Sequence, residues 1–237
     1  MKMMTKRMAM AGLLAVLAVG GARADMVLID FGPLAGRHSV GAADSGGNWW
    51  NHVTGATDVI GDLVDADNQS SGIGLTMSGW DGMNTWNAGL TPDPALNGGT
   101  FAYTAVTDDG AYFTAAQAPS ILLSGLDPSL TYDFTFYGAR RDAVRYTTYD
   151  INGNAVELQT GFSPGWNDDT VVMLSGMTPD GNGDLQIDFI GYTGSGETGS
   201  RTFGYLNAMQ IDVVPEPAAF SFMLIGAMAL RLMRRRR

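Results

Sequence analysis

The stretch Thr131-Tyr132-Asp133-Phe134-Thr135-Phe136-Tyr137 decides the fold class. In an extended chain successive side chains leave on opposite faces, so Tyr132, Phe134 and Phe136 share one face and Asp133, Thr135 and Tyr137 the other. The pattern predicts a strand with one dry and one wet face. Leu185, Ile187 and Phe189 alternate with Gln186 and Asp188 in the same way. Working outward, similar short runs predict strands over 26–31, 73–78, 100–105, 120–123, 145–151, 155–160, 170–174 and 204–213. Gly, Asn, Asp, Pro and Ser separate them, and Ile151-Asn152-Gly153-Asn154 places Asn-Gly where two strands need a tight hairpin. No long 3.6-residue periodicity interrupts the series, and 28 of the 32 glycines fall in residues 25–213, as many turns require. The expected fold is all-β, a single antiparallel β-sandwich of jelly-roll type. Residues 32–60 and 79–99 are expected to be long loops, with no linker dividing the body and no repeat of fixed period.

Charge separates the chain into three parts. The whole has 237 residues, 14 Lys plus Arg against 24 Asp plus Glu, and no cysteine. Residues 25–214 contain only five positive side chains (Arg37, Arg140, Arg141, Arg145 and Arg201) against 23 acidic ones, a formal charge of −18 with no lysine. Such a body is a poor partner for nucleic acid, which requires clustered Lys and Arg. The whole chain's 45% hydrophobic content argues against disorder. Without disulfides, an exported body must rely on core packing or a bound metal.

The other positive charges sit at the ends. Lys2, Lys6 and Arg7 precede an apolar stretch from Met8 to about Gly21, followed by Ala22-Arg23-Ala24. This is the order of a secretory signal peptide, with cleavage expected before Asp25 and an uncleaved anchor as the alternative. At the other end, Val214-Pro215-Glu216-Pro217 leads into the uncharged run 218–230 and then Arg231, Arg234, Arg235, Arg236 and Arg237. The two prolines keep the backbone extended, and the arginines hold the end of an apolar helix on the cytoplasmic side of a membrane. A plain tail anchor would share these features. In all three parts the segment closely resembles the PEP-CTERM sorting signal of Gram-negative bacteria that make exopolysaccharide. The resemblance implies that Pro215, Glu216 and Pro217 form the recognition motif of an exosortase, a membrane-embedded transpeptidase-like protease that removes the tail. The expected organisation is a signal peptide over 1–24, a β-sandwich domain over 25–213 flanked by the signal helix and a C-terminal hydrophobic helix, and a sorting signal over 214–237. The expected partners are the secretion machinery, the inner membrane transiently, the exosortase and exopolysaccharide, leaving the product at the cell surface or outside the cell.

The body resembles, more loosely, the galactose-binding-like β-sandwich modules of exported bacterial proteins. The residues that carry this likeness are Ile29-Asp30-Phe31-Gly32, Gly47-Asn48-Trp49, Leu123-Ser124-Gly125-Leu126-Asp127-Pro128 leading to Tyr132, and Tyr205-Leu206-Asn207-Ala208-Met209-Gln210-Ile211. It implies glycan binding as an expectation.

Catalytic motifs fare poorly. Gly161-Phe162-Ser163-Pro164-Gly165 matches a serine-hydrolase elbow, but the residue after the serine must supply an oxyanion-hole N–H and Pro164 has none. Gly194-Ser195-Gly196-Glu197-Thr198-Gly199 matches a dinucleotide fingerprint but precedes a strand-like run instead of a helix. A glycoside hydrolase acting through paired Asp carboxylates is the alternative function, with 21 aspartates in the body and no spacing that singles out a pair. The chain is therefore expected not to be an enzyme. For a cofactor, only a structural calcium is suggested: Asp180, Asn182 and Asp184 place oxygens at alternate positions with Asp188 further on. A tight turn is the competing reading, and Asp62, Asp65, Asp67 and Asn68 form a second oxygen-rich stretch. Sugars stack on aromatic faces and bond to amides, which makes Trp50, Trp86 and Trp166, with Asn87 and Asn167, the candidate glycan-binding residues. The same rings could instead plug the ends of the core, the expectation for Trp49. Arg140, Arg141 and Arg145 are expected to hold acidic loops together, with a carboxylated or sulfated sugar as the alternative. The body's charge makes calcium and neutral sugars the leading ligands.

Overall fold

A computed structural model describes residues 26–33, 43–87, 89–191 and 203–214. The signal peptide, the Pro-Glu-Pro motif, the apolar run and the arginine tail lie outside the described residues, as does the 194–199 glycine string. Among the described residues no helix is long and apolar enough to cross a membrane.

The strands are β1 (Met26–Phe31), β2 (Asn51–Val53), β3 (Val59–Ile60), β4 (Gly74–Ser78), β5 (Gly82–Asn84), β6 (Gly110–Thr114), β7 (Ser120–Ser124), β8 (Thr131–Tyr137), β9 (Arg145–Ile151), β10 (Asn154–Gly161), β11 (Val172–Met177), β12 (Leu185–Gly191), β13 (Phe203–Leu206) and β14 (Ala208–Val214). One sheet runs β11-β8-β14-β1-β2, a second β10-β9-β12-β7-β4-β3, and a third, smaller one β13-β6-β5. The first two face each other over a common core. From the first sheet come Ile29, Phe134, Phe136 and Ile211, and from the second Leu75, Ile121, Tyr149 and Ile187. Phe136 stacks on Tyr149 across the gap, with ring centroids 4.5 Å apart and planes 10° from parallel. The hairpin between β9 and β10 turns through Asn152 and Gly153, both at positive φ (56° and 80°), as a two-residue turn of this twist demands. At the start of β8 the Tyr132 hydroxyl accepts the Asp127 N–H at 2.8 Å, tying the strand to the Gly125–Pro128 corner.

Five features depart from the sequence reading. The sandwich is not wholly antiparallel, because β1 pairs with β2 in parallel. The face of β8 expected to be wet is dry at Thr135 and Tyr137, with Asp133 half-buried. Thr135 is 1% exposed and Tyr137 0%, because a second apolar cluster including Trp50, Leu96, Phe101 and Val106 covers that side of the first sheet. The expected strand over 100–105 is instead a turn leading into a one-turn helix, α1 (Thr104–Thr107), which buries both Phe101 and Val106 against Tyr137's neighbourhood. The expected strand over 204–213 is two strands, β13 and β14, broken at Asn207. Meanwhile β2, β3 and β5 arise in the stretches 32–60 and 79–99 expected to be loops, and β6 in sequence not assigned.

Candidate functional site: an aromatic cleft with two guanidiniums

The third sheet builds the cleft by period-two alternation. On β13, Phe203 and Tyr205 face one way while Gly204 faces the core, where a Cβ would fall 2.0 Å from the Phe113 ring. Only glycine leaves room for the ring of its ladder partner Phe113 to lie across it. Tyr112 on β6 lies opposite Tyr205 in the ladder, and β5 brings Asn84. Trp86 follows β5, its ring edge-on to Tyr112 (5.3 Å, 81°) and to Tyr205 (5.0 Å, 74°). Arg140, just after β8, lays its guanidinium over Trp86 with Cζ 5.7 Å from the ring centroid, and Arg145 at the start of β9 does the same to Phe203 at 5.7 Å. Asn84, Trp86, Tyr112, Arg140, Arg145, Phe203 and Tyr205 line a cavity of about 230 Å³. That is smaller than the roughly 300–1,000 Å³ of sites for drug-sized ligands and suits a single ring. Among the described lining residues none is acidic. Burial raises the pKa of the Tyr205 phenol, although the guanidiniums of Arg140 and Arg145 beside it pull the other way.

Three buried asparagines, each 0% exposed, hold the segment that carries Arg140. Asn87 donates to the Ala139 carbonyl at 2.8 Å and accepts the Arg141 N–H at 3.0 Å. Asn167 donates to the carbonyls of Gly138 (3.0 Å) and Thr170 (2.8 Å). Asn207 accepts the Ala139 N–H at 2.7 Å and donates to the carbonyls of Thr107 and Asp109. The Arg140 N–H itself donates to the Thr160 carbonyl at 2.6 Å. Backbone groups out of water must be paired, and here side-chain amides pair them where the ladder of β8 has ended.

These contacts correct part of the sequence-derived ligand set. Asn87 and Asn167 are sealed and bonded to backbone, so they brace the cleft and do not face a ligand. Trp50 is 6% exposed, packs on Phe101 at 5.9 Å, and donates its indole N–H to Asp44 at 2.9 Å. Burial raises the Asp44 pKa, but the bonds from Trp50, Asn48 and Gly46 outweigh it and hold the carboxyl below its usual range. Trp50 is thus mostly sealed, and together with its half-buried neighbour Trp49 it lines a second cavity of about 460 Å³ with Asn51, His52, Ile60, Asp62, Val64 and Asn68. Trp166 is half-buried under the Arg141 guanidinium, 6.0 Å away, and is not among the residues of the aromatic cleft. Of the Trp residues expected to meet sugar, Trp86 alone joins it. Tyr112, Phe203 and Tyr205 were missed; the aromatic-Gly-aromatic string 203–205 was the available signal, since period two puts both rings on one face.

The oxygen-rich loop is bound up in its own turn. The Asp180 carboxylate accepts the N–H groups of Asn182 (2.8 Å) and Asp184 (2.9 Å), which lower its pKa, and the Asn182 amide at 3.3 Å. Asp188 lies on β12 opposite Ser120 and Asp150, where it accepts the Gln186 amide. Among the described residues no group of three or more His, Cys, Asp or Glu is gathered as a metal site. Among the described residues neither cleft is lined by the pair of carboxylates that glycoside hydrolysis uses.

Behind the second cleft His52 Nδ1 lies 3.1 Å from an Asp30 carboxylate oxygen, with both side chains at most 3% exposed. Asp109 packs so closely on Gly32 that a Cβ there would fall 2.1 Å from its carboxyl. Burial lowers the His52 pKa, but the bond and charge of Asp30, the charge of Asp109 and the Gly32 carbonyl raise it further, leaving it above the ordinary 6.5. A raised value means that the folded state binds the proton more tightly than the unfolded one. The resulting stabilisation is complete below pH 6.5 and disappears as pH rises through the folded value. Thermal unfolding across this range should show Tm falling with pH, and His52→Gln should flatten that slope. An unchanged slope in the variant would place the titration elsewhere.

No protein-family model matches the sequence, and no curated protein matches it. The fold is similar to solved structures of low identity. The ANX2 ectodomain from Arabidopsis thaliana matches with a TM-score of 0.44 and 13% identity over 81% of this chain and 50% of that one. The ANXUR1 extracellular domain from the same plant matches at 0.43 and 9% over 68% and 55%. TmCBM61, solved in complex with beta-1,4-galactotriose, matches at 0.24 and 13% over 60% and 88%. The chain spans about half the length of the receptor ectodomains it matches.

Proposed function

We propose that this chain is a non-enzymatic surface or extracellular-matrix module that holds a glycan of the producer's exopolysaccharide in the cleft around Trp86. The jelly-roll reading of the sandwich belongs to the same proposal. The observation that carries it is the cleft itself: four aromatic rings at ring-sized spacing, an exposed amide at Asn84 and two arginines, set on a braced scaffold. Apolar C–H patches of a sugar lie on ring faces while its hydroxyls meet amide and guanidinium donors. Retention on the producer's exopolysaccharide is expected to saturate and to fall about tenfold in Trp86→Ala, equivalent to about 1.4 kcal/mol. Trp166→Ala, outside this cleft, should leave it within twofold. Absent retention, or retention untouched by Trp86→Ala, would leave a purely structural role.

Delivery follows from the two ends. The chain is exported under its signal peptide by the secretion machinery, held transiently in the inner membrane by the apolar run after Pro217, and released to the surface by an exosortase-type enzyme. Glu216→Ala is expected to accumulate as an unprocessed, membrane-held form on a gel of cell fractions. Normal processing of that variant would refute the sorting assignment.

A further inference from the structure

We propose that the Arg140 corner of the aromatic cleft selects sugar rings that carry a carboxylate, as a hexuronic acid does. This rests on the glycan reading above and replaces the neutral-sugar preference drawn from net charge. Arg141 pairs with Asp142 at 3.6 Å, as structural arginines in an acidic body are expected to do. Arg140 does not follow: among the described residues no carboxylate pairs with it, and its guanidinium lies over Trp86. A guanidinium has five N–H donors, so one that also meets a phenol oxygen keeps donors that match a carboxylate in a two-bond fork. Arg145, 7% exposed, places a second guanidinium against Phe203, and both approach the Tyr205 hydroxyl. The cleft therefore offers one guanidinium with no carboxylate partner among the described residues, a second positive charge behind it and rings to carry the sugar.

The body's charge of −18 does not forbid this. At physiological salt, charges beyond about 8 Å are largely screened, so the sign of the nearest groups governs a small ligand, and no acidic residue lines the cleft among those described. The positive groups are also held in place. The Arg140 backbone is pinned through Thr160 and, at the residues on either side, through Asn87, Asn167 and Asn207, which lowers the ordering cost of binding.

The test is titration calorimetry on the full-length chain in detergent with four probes: a hexuronate tetrasaccharide, its methyl ester, the matching neutral hexose tetrasaccharide and a sulfated form of that neutral chain. The acid is expected to bind at least tenfold more tightly than the ester or the neutral chain. Arg140→Gln should erase this preference, so that acid, ester and neutral chain bind that variant with affinities within twofold of one another. Arg140→Lys keeps the charge but loses the fork, so it should retain the preference only in part; it supplies the reading if Arg140→Gln fails to fold by circular dichroism. Equal affinity for acid, ester and neutral chain overturns the carboxylate inference and leaves glycan binding standing. Binding of none of the four removes both. A sulfated chain bound as tightly as the acid, or an acid preference that survives in Arg140→Gln and Arg140→Lys, also overturns it.

Discussion

Asn207→Ala is expected to destabilise the protein by about 3–5 kcal/mol, because it leaves several buried backbone groups without partners at once. The Asn207 side chain accepts from the Ala139 N–H and donates to the Thr107 and Asp109 carbonyls, in a position with no exposure. Its own backbone continues the bracket, with N–H to the Tyr137 carbonyl and carbonyl to the Phe31 N–H, and those bonds survive the substitution. The loss therefore measures the side chain alone. A buried amide or carbonyl left unpaired costs about 1–3 kcal/mol, and a domain has only about 5–15 kcal/mol in total. Urea unfolding with an unchanged m-value checks it; a loss under 1 kcal/mol would mean that water replaces the bracket. Asn207→Asp should not rescue the fold, since a carboxylate cannot donate to the Asp109 carbonyl.

Phe136→Ala is expected to cost about 3–5 kcal/mol by a different route, the emptying of the inter-sheet core. Phe136 is fully buried, pairs with Met209 in the ladder between β8 and β14, and stacks on Tyr149 of the facing sheet and on Phe134 along its own strand. Removing the ring leaves a void between two sheets whose spacing other side chains set, so collapse is limited. Met173→Ala is the control: this residue sits opposite Thr135 in the same sheet but is 50% exposed, and its change should stay within about 0.5 kcal/mol. Equal effects from the two would contradict the core assignment.

Several strands read well from sequence. β12 alternates buried and exposed along its whole length, and β9, β1 and β8 have the expected bounds, because period two is imposed by the backbone itself. What could not be read was the second face of β8. Thr135 and Tyr137 look solvent-facing until residues 93–107 fold over them, a contact made across a long separation in sequence. Trp50 is the more deeply buried of the Trp49–Trp50 pair for a related reason, although both rings line the second cavity: how far a loop aromatic is sealed depends on where the loop lies. Asn87 and Asn167 were misread because an asparagine beside a tryptophan suits both a sugar hydroxyl and an orphaned backbone carbonyl. Only burial tells these apart, since a sealed amide has no route to a ligand.

By itself the amino-acid sequence determined the all-β class, the acidic body and the order of signals expected at each end, since these depend on local periodicity, on sums of charge and on segment order. Tertiary structure alone decided the cleft. Phe203 and Tyr205, Tyr112, Trp86 and Arg140 come from four separate stretches of chain, and only the third sheet and the asparagine brackets bring them together. Net charge adds without regard to position, whereas an electrostatic site depends on distance, and so a chain that is acidic in sum presents two guanidiniums at one place.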